Sequence, residues 1–168
     1  DPEAAARLHP NDRKRIVRAL EVFQQTGKTI SQHNRETRAL PLRYDALTLS
    51  LAFQRREDMW ARIDRRVDEM MAAGLAEEVR ALLDSGVPVR CTAMQAIGYK
   101  EMAAALRGGG DVCAAAEEIK LRSRQYAKRQ LTWFRRTEGA KWLFWGPEPD
   151  FEAACRTSTK YLEEFGLV

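Results

Sequence analysis

The sequence predicts a mainly α-helical chain with two short strands, and three observations carry that class. Apolar residues recur at three- and four-residue spacing between Gly, Pro, Asp and Asn positions that start or stop helices. Two stretches depart from that period, Tyr44 to Phe53 and Lys141 to Trp145. Hydrophobic residues make up 45% of the 168 residues, enough for a real core, and a charged fraction of 31% suits helices with one solvated face.

Asp1-Pro2 opens a short helix, with Asp as the cap and Pro at the first helical position. His9-Pro10-Asn11-Asp12 breaks it, and Asn11 or Asp12 caps a second helix from Arg13 to Thr26. Ile16, Ala19, Leu20 and Phe23 form its inward stripe, and Gly27 ends it. The polar stretch from Thr29 to Arg38 is a third short helix. Pro41 marks a boundary, dividing a small helical piece (1–40) from the rest (41–168).

Leu47, Leu49, Leu51 and Phe53 then alternate with Thr48, Ser50 and Ala52, which predicts a strand covered on both faces. Glu57 to Ala73 is a long helix with Trp60, Ile63, Val67, Met70 and Met71 inward and Gly74 as terminator. Leu75 to Ser85 continues helically and stops at Gly86 and Pro88. Ala93 to Leu106 is a further helix, closed by Gly108-Gly109-Gly110, and Asp111 caps the next one. Lys141 to Trp145 is a short apolar strand. Pro147 and Pro149 form a loop before an amphipathic helix from Phe151 to Phe165, packed along Phe151, Ala154, Cys155, Ser158, Leu162 and Phe165. Two strands this far apart do not make a sound sheet by themselves. They are read as members of a larger parallel sheet whose other strands lie in a preceding part. The absence of an initial Met agrees with a piece of something longer.

Charge is concentrated in one place. The chain carries 28 Lys+Arg against 24 Asp+Glu, a net +4. Between Lys120 and Thr137 stand Lys120, Arg122, Arg124, Lys128, Arg129, Arg135 and Arg136, with no acid among them. Tyr126, Trp133 and Phe134 are interleaved. Cations neutralise phosphates, and rings or guanidinium planes stack on unpaired bases. At about 100° per residue, Ile119, Ser123, Tyr126, Ala127, Gln130, Trp133 and Phe134 share one arc with cations on both flanks. The segment therefore reads as a helix that packs along that stripe and offers charge beyond it. A solvated helix face is the alternative. Five turns without an acid favour a nucleic-acid surface.

Other chemistries are excluded or weak. Cys91, Cys113 and Cys155 are odd in number and widely spaced, which fits a reducing cytoplasm and neither a disulfide scaffold nor a zinc site. The apolar runs are shorter than a membrane span and the N-terminus is no signal peptide. Thr26-Gly27-Lys28-Thr29 imitates the end of a phosphate-binding P-loop. The pattern needs a glycine where Val22 stands and a strand where a helix precedes. His9 and His33 have no partner at catalytic or metal spacing, and no Ser/His/Asp or Cys/His set is legible.

Three further places draw notice. Arg13, Lys14, Arg15 and Arg18 crowd a helix N-terminus, against the dipole, which suggests a use such as phosphate contact. Arg62 and Arg66, four apart on the border of an apolar stripe, suit a diphosphate, or else pair with the neighbouring Asp58, Asp68 or Glu69. Gly98, between Ile97 and Tyr99-Lys100, sits within a helical pattern where a helix or a nucleotide can approach closely.

Four blocks, HPNDRKRIVRALEVFQQTGK (9–28), RIDRRVDEMMAAGLAEEVRALL (62–83), AMQAIGYKE (93–101) and YAKRQLTWFR (126–135), together resemble the C-terminal half of bacterial tRNA dimethylallyltransferases, also called tRNA isopentenyltransferases. The resemblance covers the chain to about Trp145. It implies the C-terminal part of an α/β P-loop-type core (41–168) plus part of a helical insertion domain (1–40). It also implies transfer of a dimethylallyl group from dimethylallyl diphosphate to N6 of the adenine 3′ of the anticodon. Mg²⁺ would be bound mainly by an N-terminal half that also carries the P-loop and the general base, so this chain is expected to be inert alone. The partners implied are the tRNA anticodon stem-loop and dimethylallyl diphosphate, for a cytoplasmic monomer without a membrane.

By the same resemblance, tRNA is touched by three segments: Lys14, Arg15, Ile16, Val17 and Arg18; then Gln95, Ala96, Ile97, Gly98, Tyr99 and Lys100; then Lys128, Arg129, Gln130, Leu131, Thr132, Trp133, Phe134 and Arg135. Arg66, and with it Arg62, falls to the diphosphate. No catalytic or metal-binding residue is assigned within the chain. A stand-alone RNA-binding module, or a helical domain facing acidic protein, is the competing reading.

Overall fold

The structure, a computed structural model, describes residues 1–41 and 43–167. The chain divides into two compact units, Asp1–Ala46 and Leu47–Val168.

The first unit holds α1 (Pro2–Arg7), α2 (Arg13–Thr26) and α3 (Ile30–Ala39). Asp1 serves two helices at once. One carboxylate oxygen accepts from the Ala4 N–H at 2.9 Å, and the other from the Ser31 N–H of α3 at 3.0 Å. Thr29 and Gln32 form a reciprocal capping box at the start of α3. Helix α2 ends on Gly27 at φ 70°, as the sequence requires. Its inward stripe is displaced, however. Val22 is buried, Ile16 and Ala19 are half-buried, while Leu20 and Phe23 lie exposed. The partner helix explains this: between Ile30 and Ala39 it offers α2 only polar and charged side chains, so one flank alone is enclosed.

The second unit runs β1 (Leu49–Phe53), α4 (Arg56–Ala72), α5 (Leu75–Asp84), a single 3₁₀ turn (Ala93–Gln95), α6 (Tyr99–Gly108), α7 (Val112–Phe134), β2 (Lys141–Trp145) and α8 (Phe151–Phe165). The strands pair in parallel, from Leu49 opposite Lys141 to Phe53 opposite Trp145. Helix α4 packs on β1 and α8 on β2. Leu143 is buried while its partner Leu51 is exposed, and Ala52 is buried while its partner Phe144 is exposed. Each face is thus covered over one strand and open over the other, where the sequence led us to expect cover on both. The strand also begins at Leu49, not at Tyr44.

The core sits among α4, α5, α6 and α7: Val67, Leu75, Val79, Met94, Met102 and Ile119 are buried together. Burying each such side chain contributes roughly 1.5–3 kcal/mol. The expected helix from Ala93 to Leu106 is broken. After the 3₁₀ turn the chain passes through Gly98 at φ 105°, ψ −61°, and α6 starts only at Tyr99. A Cβ on Gly98 would meet nothing nearer than 4.0 Å, so no close approach demands glycine there; the backbone conformation does. On α8, Phe151 and Cys155 are exposed and not packed inward, although the Phe151 ring lies 5.3 Å from that of Trp145.

Candidate nucleic-acid interface

Helix α7 carries the basic segment, and Asp111 starts it by accepting the Cys113 N–H at 2.8 Å. Its register about its own axis is set by α4. Lys120 reaches Asp68 at 2.7 Å and Glu117 at 2.8 Å, and its side chain is only 13% exposed. These two hydrogen bonds, Asp68 first, push the ammonium well above its ordinary pKa. One turn on, Arg124 binds Asp64 at 2.7 Å. Lys120 and Arg124 therefore hold the fold together and are not offered to a ligand.

That anchoring corrects the wheel. The half-buried stripe beyond Ile119 is Lys120, Ser123, Arg124, Ala127 and Leu131. Tyr126, Gln130, Trp133 and Phe134, expected inside, all face outward, with Trp133 69% exposed. Hydrophobicity alone placed the rings inward. The carboxylates of α4 draw the cations there instead, and neighbours no longer enclose the last turns of α7.

The remaining cations open onto a groove. One wall is the turn before α6 and the first turn of α6, with Gln95, Ile97 and Lys100; the other is α7, with Arg122, Gln125 and Arg129. This central cavity has a volume of about 680 Å³. It shares Gln95 and Lys100 with a cavity of about 440 Å³ that reaches Arg107. At the other end it shares Gln125 and Arg129 with one of about 470 Å³ bounded by Lys128, Trp133 and Arg136. Six cations line the run: Lys100, Arg107, Arg122, Lys128, Arg129 and Arg136. Its three acids are engaged locally. Glu101 accepts the Gly98 N–H, Asp111 caps α7, and Glu118 holds Arg122 at 2.6 Å. Among the described residues, none of the other five cations takes part in an ion pair. Arg129 lies over the Tyr126 ring, 5.8 Å from its centroid. Cations left uncompensated along a concave surface, next to exposed rings, attract phosphates and stack bases.

Two of the three segments expected at RNA, 95–100 and 128–135, thus share one groove. Not every member points into it. Gly98 is buried as the hinge before α6. Tyr99 turns to α5, where its hydroxyl donates to Glu78 at 2.5 Å; that bond, then burial, then the Glu78 charge raise its pKa. Ala96 is exposed, and Gln95 is steadied by its amide donating to the Val89 carbonyl at 2.8 Å. Thr132 donates back to the Lys128 carbonyl at 2.9 Å, Leu131 is half-buried, and Arg135 is exposed at the helix end.

The third segment lies in the first unit. Lys14, Arg15, Val17 and Arg18 are exposed on α2 and Ile16 is half-buried; Arg15 pairs with Asp12 and Arg18 with Glu21. Arg62 and Arg66 are exposed on α4, and among the described residues neither forms the intrahelical ion pair that its neighbours allowed. The sequence reading missed Arg107 and Gln125, and it counted Arg122 and Arg136 in the basic segment without assigning them as contact residues. Their signal was spacing: Arg122, Gln125 and Arg129 stand at i, i+3 and i+7, and Arg107 is seven residues after Lys100.

The IPP transferase family model matches residues 1–137. The chain belongs to the IPP transferase family. It is 50% identical over 143 residues to the tRNA dimethylallyltransferase of Geobacter sulfurreducens, covering 85% of this chain and 46% of that protein. To the tRNA dimethylallyltransferase of Bacillus subtilis it is 45% identical over 152 residues, 90% of this chain and 48% of the other. Among solved structures it resembles the full-length tRNA isopentenylpyrophosphate transferase of Bacillus halodurans (TM-score 0.69, 36% identity, 98% of this chain and 49% of that one). It also resembles a eukaryotic dimethylallyltransferase captured acting on tRNA (TM-score 0.77, 29% identity, 98% and 44%). This IPP transferase chain spans about half the length of the relatives it matches.

Among the described residues of the IPP transferase chain, no three His, Cys, Asp or Glu side chains gather into a metal-binding set. No helix among these residues is long and apolar enough to cross a membrane.

Proposed function

We propose that this chain is the RNA-gripping portion of a tRNA dimethylallyltransferase. The whole enzyme would move a dimethylallyl group from dimethylallyl diphosphate to N6 of the adenine 3′ of the anticodon. The observation that supports this reading is the groove in which Gln95, Ile97 and Lys100 face Arg129, continued along α7 by Lys128, Trp133 and Arg136. Its cations would hold the phosphates of the anticodon stem-loop and its exposed rings would stack on unpaired loop bases. Lys14 to Arg18 would supply further phosphate contacts from the first unit.

Charge develops on the bridging oxygen as an allylic diphosphate departs, and a planar guanidinium stabilises it. Arg66 and Arg62 are exposed and free of ion pairs among the described residues, which suits them to that task. The 168 residues contain no complete P-loop, so the chain alone is expected to bind RNA without transferring the prenyl group.

The test is affinity for an anticodon stem-loop across a salt series, against an acidic peptide of equal charge. The reading expects preference for the RNA and a steep fall in affinity with salt. A flat salt response, or equal binding of the peptide, would remove it.

A further inference from the structure

We propose that Glu118, Arg122 and Gln125 on α7 form a base-reading element within the groove, selective for an unpaired base that carries an amino group beside a ring-nitrogen acceptor. Adenine and cytosine have that edge; uracil does not. The inference rests on the RNA reading above and goes beyond it by separating the residues that read a base from those that hold phosphate.

The three side chains stand at i, i+4 and i+7, on one face of the helix, and all line the central cavity. They are already connected. Arg122 donates through Nε to Glu118 at 2.6 Å and through Nη1 to the Gln125 carbonyl oxygen at 3.4 Å. The guanidinium is therefore pinned at both ends and its charge is offset by Glu118. That distinguishes it from Lys100, Lys128 and Arg129, which have no acid partner among the described residues.

What the trio leaves unspent is specific. Glu118 keeps one carboxylate oxygen, an acceptor. Gln125 keeps its amide NH₂, a donor. A phosphate offers acceptors alone, so a carboxylate beside it costs energy. A carboxylate in a basic groove is thus badly placed for the RNA backbone and well placed for an exocyclic amino group. Glu118 would accept from the exocyclic amino group, and the Gln125 amide would donate to the ring nitrogen beside it. Uracil would turn a carbonyl oxygen toward Glu118. The flanking Lys128 and Arg129 would fix the backbone, so that one loop base falls over the trio.

The experiment uses the 168-residue chain and a set of RNA hairpins in which each loop adenine or cytosine is changed to uracil in turn. Binding is measured across salt for the unaltered chain, for Gln125→Ala, for Glu118→Gln and for Lys128→Glu with Arg129→Glu; circular dichroism confirms each fold. We expect the unaltered chain to lose affinity roughly five- to hundredfold for uracil at one loop position. Gln125→Ala should erase that penalty while leaving the salt slope unchanged; Glu118→Gln, which also releases the Arg122 charge, should shrink the penalty and steepen the slope. The double charge reversal should weaken every hairpin alike and flatten the slope. No penalty at any position, or a penalty that survives both single variants, overturns this inference while the RNA reading stands. Failure of the unaltered chain to bind any hairpin overturns both.

Discussion

A single nitrogen of Arg124 on α7 donates to both carboxylate oxygens of Asp64 on α4, at 2.7 and 3.0 Å. The two side chains are 29% and 32% exposed, between a surface pair and a buried one. Removing either partner should therefore cost about 1–2 kcal/mol, with a coupling of about 1 kcal/mol in the Asp64→Ala/Arg124→Ala cycle. Chemical denaturation measures both. Because neither group meets phosphate, RNA affinity should fall with the loosened helix while its salt slope stays the same.

Met102 and Val79 are fully buried between α5, α6 and α7. Met102→Ala should destabilise the chain by about 2–5 kcal/mol, through the apolar burial it gives up and the cavity left behind. Trp133→Ala, on an open helix end, should stay within about 0.5 kcal/mol yet weaken RNA binding. Thermal melts and hairpin binding on the same two variants separate packing from ligand contact.

Gly98→Ala should cost about 1–3 kcal/mol although the added methyl has room, since φ 105° is a strained position for any L side chain. The same substitution at Gly110, whose backbone has an ordinary φ but lies against Ala105, puts a Cβ 3.4 Å from the Ala105 Cα. Comparing denaturation midpoints for the two variants tests whether backbone conformation or space is limiting at each.

Stability should be lost at alkaline pH. The hydrogen bond from Tyr99 to Glu78 raises the Tyr99 pKa above its ordinary 10.0, and Asp68 with Glu117 raise that of Lys120 above 10.5. In both cases the folded chain holds the proton more tightly than the unfolded chain. The stabilisation is complete below the unfolded value and drains as pH rises through the folded one. Unfolding free energy should thus gain nothing from either group's titration at neutral pH and fall above about pH 10. Tyr99→Phe should remove part of that alkaline loss, read by denaturation across pH.

Local chemistry made much of the fold readable. Asp1-Pro2, Gly27, Gly74 and Asp111 fix helix ends because caps act on their own neighbours in sequence, and α2, β2 and α8 have the bounds their patterns require. What escaped depended on distant partners. The wheel buried Tyr126, Trp133 and Phe134 because they are apolar; only Asp64 and Asp68, far earlier in the chain on α4, explain why Lys120 and Arg124 turn inward instead. Leu20 and Phe23 stay exposed because α3 has no apolar face to offer them. The basic segment marked the candidate surface, but the sequence counted its seven cations alike. The structure separates Lys120 and Arg124, spent on α4, from Lys128, Arg129 and Arg136, which line the groove.

The central claim is that the turn before α6 and the outer face of α7 form one surface for RNA. Lys100→Glu on the first wall and Arg129→Glu on the second test it, with hairpin affinity measured over salt for each and for both together. The account predicts that each reversal weakens binding and makes the slope of log affinity against log salt shallower, by about 0.7–0.9 for each phosphate no longer neutralised, and that the double variant combines the two effects. If either wall can be reversed without changing affinity or slope, the two segments do not grip one ligand and the account is contradicted.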